Sequence, residues 1–204
     1  MKTSLFVYTT LLLTTLYFIF PVASVKKKYP GAAVTIDIQP FDDLPAGEIN
    51  YVFKEIKKIY PYINVNKATA LPKSAFYRVR SRYRADSLIN FLGSKTPDGH
   101  ITIGLTSKDI STTKGIIADW GVMGLGFCPG KACIASTFRL AKDQKSEQLF
   151  KVAIHELGHT QGLPHCPVKS CFMRDAEGKN STSEEKEFCE SCKLFLVSKG
   201  WQFK

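Results

Sequence analysis

Histidine is scarce in this sequence, and acid is short against base. There are four histidines in 204 residues, and 18 acidic side chains stand against 28 lysines and arginines. The resulting formal charge of +10 leaves nucleic acid, anionic membrane or acidic substrate as the partners that charge alone favours. No internal repeat, low-complexity tract or aromatic ladder accompanies the basic residues, which excludes solenoids and weighs against a base-stacking platform. Long apolar runs are missing too, apart from Leu5 to Phe20, which is interrupted by Thr9, Thr10, Thr14 and Thr15.

With Lys2 before that run and Pro21, Ala23 and Ser24 after it, residues 1–24 read as an export signal cleaved after Ser24. The alternative is an uncleaved N-terminal membrane anchor, since the run is near the lower limit of about 17 residues for spanning a bilayer. Lys26 to Lys28 fit neither reading well, because a cationic cluster beside the run opposes its passage. The expected location is periplasmic or secreted, or membrane-anchored if the segment is retained. Residues 25–204 suffice for one domain that buries about 70% of its unfolded surface, expected to be a monomer.

Alternation in "AVTIDIQP" (33–40) predicts a half-buried strand, and Ile49, Val52, Phe53, Ile56 and Tyr60 mark one face of a helix over 46–60. "YINV" (62–65) reads as a strand, "DSLINFLG" (86–93) as a helix closed by Gly93, and "HITIGLT" (100–106) as a strand. One or two strands around a Cys-Pro-Gly turn are expected within 119–140, then a long helix from Ser146 to Gly162. Thr182 and Glu185 have the spacing of a capping box for a last helix that stops at Gly200. This order predicts an α/β (α+β) domain: a mixed twisted sheet with packed helices, then an irregular metal-rich C-terminal part. The basic "YRVRSRYR" (77–84) reads as a solvated loop leading into a helix start, with a single-stranded nucleic acid groove as the rival.

Three of the four histidines fall within "HELGHTQGLPHC", residues 155–166. Side chains four apart share one face of a helix, so His155 and His159 can reach a common zinc ion. Glu156 follows the first ligand directly, where a general base for a zinc-activated water belongs. Gly162 breaks the helix with positive φ and lets His165 return as a third nitrogen; continued helix would rotate His165 off the ligand face. Three imidazoles leave one tetrahedral position open, as a catalytic site requires.

The cysteines are the second concentration. Cys166 and Cys171, with Cys189 and Cys192 as a CxxC pair near a helix start, suit a closed tetrahedral zinc site, with two disulfides as the alternative. Cys128 and Cys133 are either a further disulfide or free thiols.

The full pattern HExxHxxGxxH is the metzincin signature. Its continuation, HCx4CxM followed by CxxC, resembles the archaemetzincins, a metzincin subfamily of zinc-dependent peptidases. "LPKSAFYRVRSRYRADSLINFL" and "CIASTFRL" resemble the family's preceding segments, so the likeness covers most of residues 25–204. It implies a metzincin-like compact metalloprotease domain holding two zinc ions. The catalytic ion lies on His155, His159 and His165 with Glu156 as base, and the structural ion on Cys166, Cys171, Cys189 and Cys192. Met173 is the candidate for the family's Met-turn. The implied partner is a peptide or protein substrate, with no nucleic acid, and a membrane only if residues 1–24 remain. An export signal is unusual in this family, Cys128 and Cys133 are additional, and the interval from Met173 to Cys189 is slightly short. The competing function is a catalytically idle, zinc-stabilised binding protein contacting an anionic polymer through Arg78, Arg80, Arg82 and Arg84. A third, thiol redox chemistry at Cys189 and Cys192, requires those thiols to be free of metal.

Overall fold

A computed structural model of the chain describes residues 33–175 and 178–204, and the N-terminal segment assigned above to export lies outside them. In β1 (Thr35–Pro40), Ile36 and Ile38 are fully buried, as the alternation of branched side chains requires. The chain then rises through α1 (Ala46–Ile59), whose Val52 and Ile56 are buried, and drops into the short β2 (Ile63–Val65) parallel to β1. After β3 (Phe76–Tyr77) and β4 (Arg82–Arg84) come α2 (Ala85–Gly93), β5 (His100–Thr106), β6 (Ile110–Lys114) and β7 (Ile117–Val122). The site-bearing half follows, with β8 (Gly124–Gly126), β9 (Ala132–Ser136), α3 (Lys145–Thr160) and α4 (Glu190–Ser198).

Two sheets result, ordered β2-β1-β5-β9-β8 and β3-β4-β6-β7. In the first, β2, β1, β5 and β9 are parallel, with β5 and β9 covered on both faces, while β8 runs antiparallel to β9. The alternation along β9 shows the layering. Cys133 and Ala135 face the core shared with α1 and α3, and Ala132 and Ile134 face the core built on α2. The fourth histidine, His100, pairs with the buried Asp37 (2.7 Å) across β5 and β1.

Several sequence readings need correction. The segment 77–84 leads into α2 and is solvated only over 78–81. It forms a strand turn in which Arg82 pairs with Asp109 (3.1 Å) and Asp119 (3.4 Å), and Arg84 with Asp86 (3.3 Å), leaving Arg78 and Arg80 exposed. β6 was hidden by its polar residues, and β7 begins two residues before the stretch read as strand. Thr182 and Glu185 cap nothing: α4 starts eight residues later, after Cys189. No side-chain bond caps it, because the Cys189 sulfur is drawn into a cysteine cluster. Of the two readings left open for Cys128 and Cys133, the structure has the free thiols, one exposed and the other buried. Gly93 ends α2 without the left-handed turn, whereas Gly200 takes φ 96° after α4.

Candidate active site

The site is built on α3 and on how that helix stops. Gly162 adopts φ 92°, and its N–H reaches His159 O (2.8 Å) while Leu163 N–H reaches Gly158 O (3.2 Å). This pair of bonds is a Schellman termination, which turns the chain back and presents His165 beside the helix. The imidazoles of His155, His159 and His165 have ring centroids 4.6, 4.9 and 5.4 Å apart, and one nitrogen from each lies within 4.8 Å of the others.

Backbone carbonyls decide which nitrogen is available. His155 Nδ1 lies 2.6 Å from Phe172 O and His159 Nδ1 lies 2.8 Å from Leu163 O. A carbonyl only accepts, so each Nδ1 carries the proton and each Nε2 keeps its lone pair for a metal. Burial lowers the pKa of both, that of His155 to about 4, so both are neutral at pH 7. His165 is half exposed, with Nδ1 3.3 Å from Asp175.

Glu156 is buried on the same helix, facing β8. Burial pushes its carboxyl up to about 8, while the Gly126 N–H, donating to it, acts in the opposite direction. Such close approach requires glycine on the strand. A Cβ on Gly124 would lie 2.7 Å from Glu156 Oε1 and 2.7 Å from Val152 Cγ1. The expected outcome of Gly124→Ala is a loss of roughly 10- to 100-fold in kcat/KM with zinc content unchanged, since a small displacement of a reacting group costs that much. Steady-state kinetics with metal analysis checks it.

Met173 is fully buried beneath α3, its sulfur against Gly158, in a turn closed by Arg174 N–H to Cys171 O (3.0 Å). Beside it the four cysteine sulfurs lie within 4.8 Å of one another, with Cys166 to Cys189 at 3.6 Å and Cys171 to Cys192 at 3.7 Å. Bonded sulfurs would sit at about 2.0 Å. Four thiolates at about 2.3 Å from one zinc would stand about 3.8 Å apart in a tetrahedron, so the cysteine cluster fits that ion. Backbone N–H groups of Met173 (3.5 Å) and Cys189 (3.3 Å) also donate to the Cys171 sulfur.

The three histidines and Glu156 open into a cleft of about 480 Å³. One wall is the 120–126 segment, ending in β8 at the outer edge of its sheet, and the other is the 178–182 segment after the cysteine turn. Two cleft residues were not marked by the sequence as part of the site. Lys151 lies one helical turn before His155, and Glu185 lies under the 178–182 wall; both are nearly fully buried. Burial raises Glu185 to about 7 from an ordinary carboxyl value of 4.5. The folded chain therefore holds this proton more tightly, and the stability it contributes is full below pH 4.5 and lost as pH rises through 7. Glu185→Gln is expected to raise stability at pH 8 by roughly 2–3 kcal/mol and to leave it unchanged at pH 4.5. Denaturant unfolding at both pH values checks this.

A parallel-rich sheet, a helix carrying paired imidazoles and an open third histidine define a zinc metallopeptidase. The profile of peptidase family M54 matches residues 24–197. An archaemetzincin of Haloquadratum walsbyi is 30% identical over 175 residues, covering 79% of this chain and 98% of that protein. The crystal structure of an archaemetzincin from Archaeoglobus fulgidus, complexed with malonate, superimposes with a TM-score of 0.68 at 26% identity. It covers 79% of this chain and 99% of that one. The archaemetzincin from Methanopyrus kandleri gives 0.69 at 28% identity, covering 82% and 96%. The chain belongs to peptidase family M54, the archaemetzincins, and is a zinc metallopeptidase with the fold of that family.

Proposed function

We propose that the protein hydrolyses peptide bonds with a zinc ion held by His155, His159 and His165 and with Glu156 as general base. A second, structural zinc is held by Cys166, Cys171, Cys189 and Cys192. The observation that carries this is the fixed tautomer of His155 and His159, two neutral imidazoles aimed with His165 at one point beside a buried carboxyl. Zinc at that point supplies Lewis acidity and lowers the pKa of water towards about 7.

The chain's own groups do the rest. Glu156 takes the proton of the attacking water and returns it to the departing amine. Gly126 N–H orients its carboxylate. The open edge of β8 gives an extended peptide backbone a hydrogen-bonding ledge across the cleft. Export is kept as part of the proposal, on the charge and apolar pattern of residues 1–24.

The test is digestion of a peptide library by the zinc-loaded protein, with the same protein stripped by chelator as the blank. Metal-dependent internal or terminal cleavage is expected. Two bound zincs with no cleavage of any peptide would favour the idle binding protein instead.

A further inference from the structure

Glu156 lies against Gly124, and from there the 120–126 wall of the cleft runs back to Gly121 and Trp120 on the open edge of β7. Two cations line that stretch. Arg139 is packed so closely on Gly121 that a Cβ there would clash with its guanidinium, and Lys114 Nζ stands 5.0 Å from the centre of the Trp120 ring. Behind them the charges do not balance. Asp109 is shared by Arg139 (2.8 Å) and Arg82 (3.1 Å), and Asp119 by Arg82 (3.4 Å) and Arg80 (4.0 Å). Arg84 is matched separately by Asp86 (3.3 Å), and Lys114 forms no ion pair among the described residues. Four cations, Arg80, Arg82, Lys114 and Arg139, therefore meet two carboxylates. Only Nη2 of Arg139 bonds Asp109; its Nη1 and Nε make no hydrogen bond among the described residues. The carboxylates of the cleft itself are placed elsewhere: Glu156 under β8, Asp175 beside His165 and Glu185 on Ser181.

We propose that the Lys114 and Arg139 end of the cleft is a subsite for a carboxylate of the substrate, three or four residues from the scissile bond, and that the enzyme selects acidic polypeptides. The proposal rests on the peptidase reading above and adds the substrate class. The position follows from strand geometry. An extended peptide laid on the edge advances at the same rate as the strand, about 3.3 Å per residue, so the residue opposite Gly121 or Trp120 lies roughly 10–13 Å from the one opposite Gly124 and Glu156. A carboxylate arriving there meets an ammonium and the unused N–H groups of a guanidinium, which give charge-assisted hydrogen bonds. Lysine or arginine at the same position would add to an existing excess of positive charge. On the facing wall Lys151 and Arg174 are matched by Glu147 (2.6 Å) and Glu184 (3.0 Å), while Lys179 forms no ion pair among the described residues, so the field across the cleft mouth has the same sign.

The experiment uses the zinc-loaded Glu156→Ala protein, so that binding is read without turnover. Serine-alanine peptides of about ten residues, capped at both ends and carrying glutamate, glutamine or lysine at every third position, are titrated by calorimetry at low salt. The repeat brings a test residue within one position of the subsite in every register. The glutamate peptide is expected to bind at least about tenfold tighter than the glutamine peptide, with lysine weakest, and the difference should shrink as salt rises. Adding Lys114→Glu, at an exposed position, is expected to erase it, and Lys114→Arg to keep it. Equal binding of glutamate and glutamine, tightest binding of lysine, or a preference that Lys114→Glu leaves intact overturns the proposal. Uncapping the C-terminus of the glutamine peptide separates the two sources of a carboxylate: a matching gain assigns the subsite to the chain end, and no gain assigns it to an acidic side chain. Acidic preference in binding with no peptide cleaved by the wild-type protein sinks the peptidase reading alone. Cleavage with no preference for acid three or four residues from the cut sinks the subsite alone.

Discussion

Glu156→Ala is expected to reduce peptide hydrolysis at least about a thousandfold while both zinc ions stay bound. General base catalysis by a positioned carboxylate contributes roughly 10²–10⁴ in rate, and water at a metal without its base keeps only the remainder. The three imidazoles do not depend on Glu156. His155 is held by Phe172 O and His159 by Leu163 O, neither of which touches the carboxyl. The substitution also removes a carboxyl whose ionised form burial penalises, so folding is expected to survive. His159→Ala is the contrasting case: it removes a ligand, and zinc at the histidine site should fall with activity. Metal analysis beside initial rates for the two variants separates base from ligand. Wild-type rates in Glu156→Ala would remove the glutamate from the mechanism.

The second large effect comes from the cysteine cluster. Cys171→Ser is expected to cost more than about 3 kcal/mol of stability and to abolish the second zinc, because structural zinc binding energy is folding energy. It should also weaken zinc at the histidines by about tenfold or more. The reason is geometric. The stretch from His165 to Met173 carries the third histidine, the Phe172 carbonyl that fixes His155, and the methionine packed under Gly158. Its two ends are sewn together by Cys166 N–H to Met173 O (2.7 Å) and by the Cys171 sulfur accepting from Met173 N–H. Loosening the cluster releases the orienting carbonyl, and loss of such an outer partner costs 10–100-fold in metal affinity. Thermal unfolding together with zinc titration checks both parts. A Cys171→Ser protein that binds histidine-site zinc like the wild type would show the two centres to be independent.

Much of this was legible because period and spacing act locally. The strand at 100–106 matches β5 residue for residue, and the helix bearing His155 and His159 needed only its 3.6-residue repeat and a stopping glycine. The return of His165 was readable for the same reason, since Gly162 takes the conformation that only the absence of a Cβ makes cheap. What sequence did not show was set by partners distant in the chain. Phe172 O and Leu163 O fix two tautomers, but every residue has a carbonyl and nothing marks these. Gly124 and Gly126 fall in the stretch read as strand, but nothing there marks them as lying against Glu156. The start of α4 was misplaced because Thr182 and Glu185 satisfy a local capping pattern, while Cys189, at the actual boundary, is held by sulfurs 18 and 23 residues earlier. Arg82 and Arg84 read as a basic face until Asp109, Asp119 and Asp86 were found beside them.

An anomalous-difference map at the zinc edge, from crystals of the purified chain, probes the arrangement most directly. Two peaks are expected, one ringed by the nitrogens of His155, His159 and His165 with no fourth protein group, the other at the centre of the four sulfurs. A bare histidine site in zinc-saturated crystals, or a side chain filling its fourth position, would contradict the hydrolytic account.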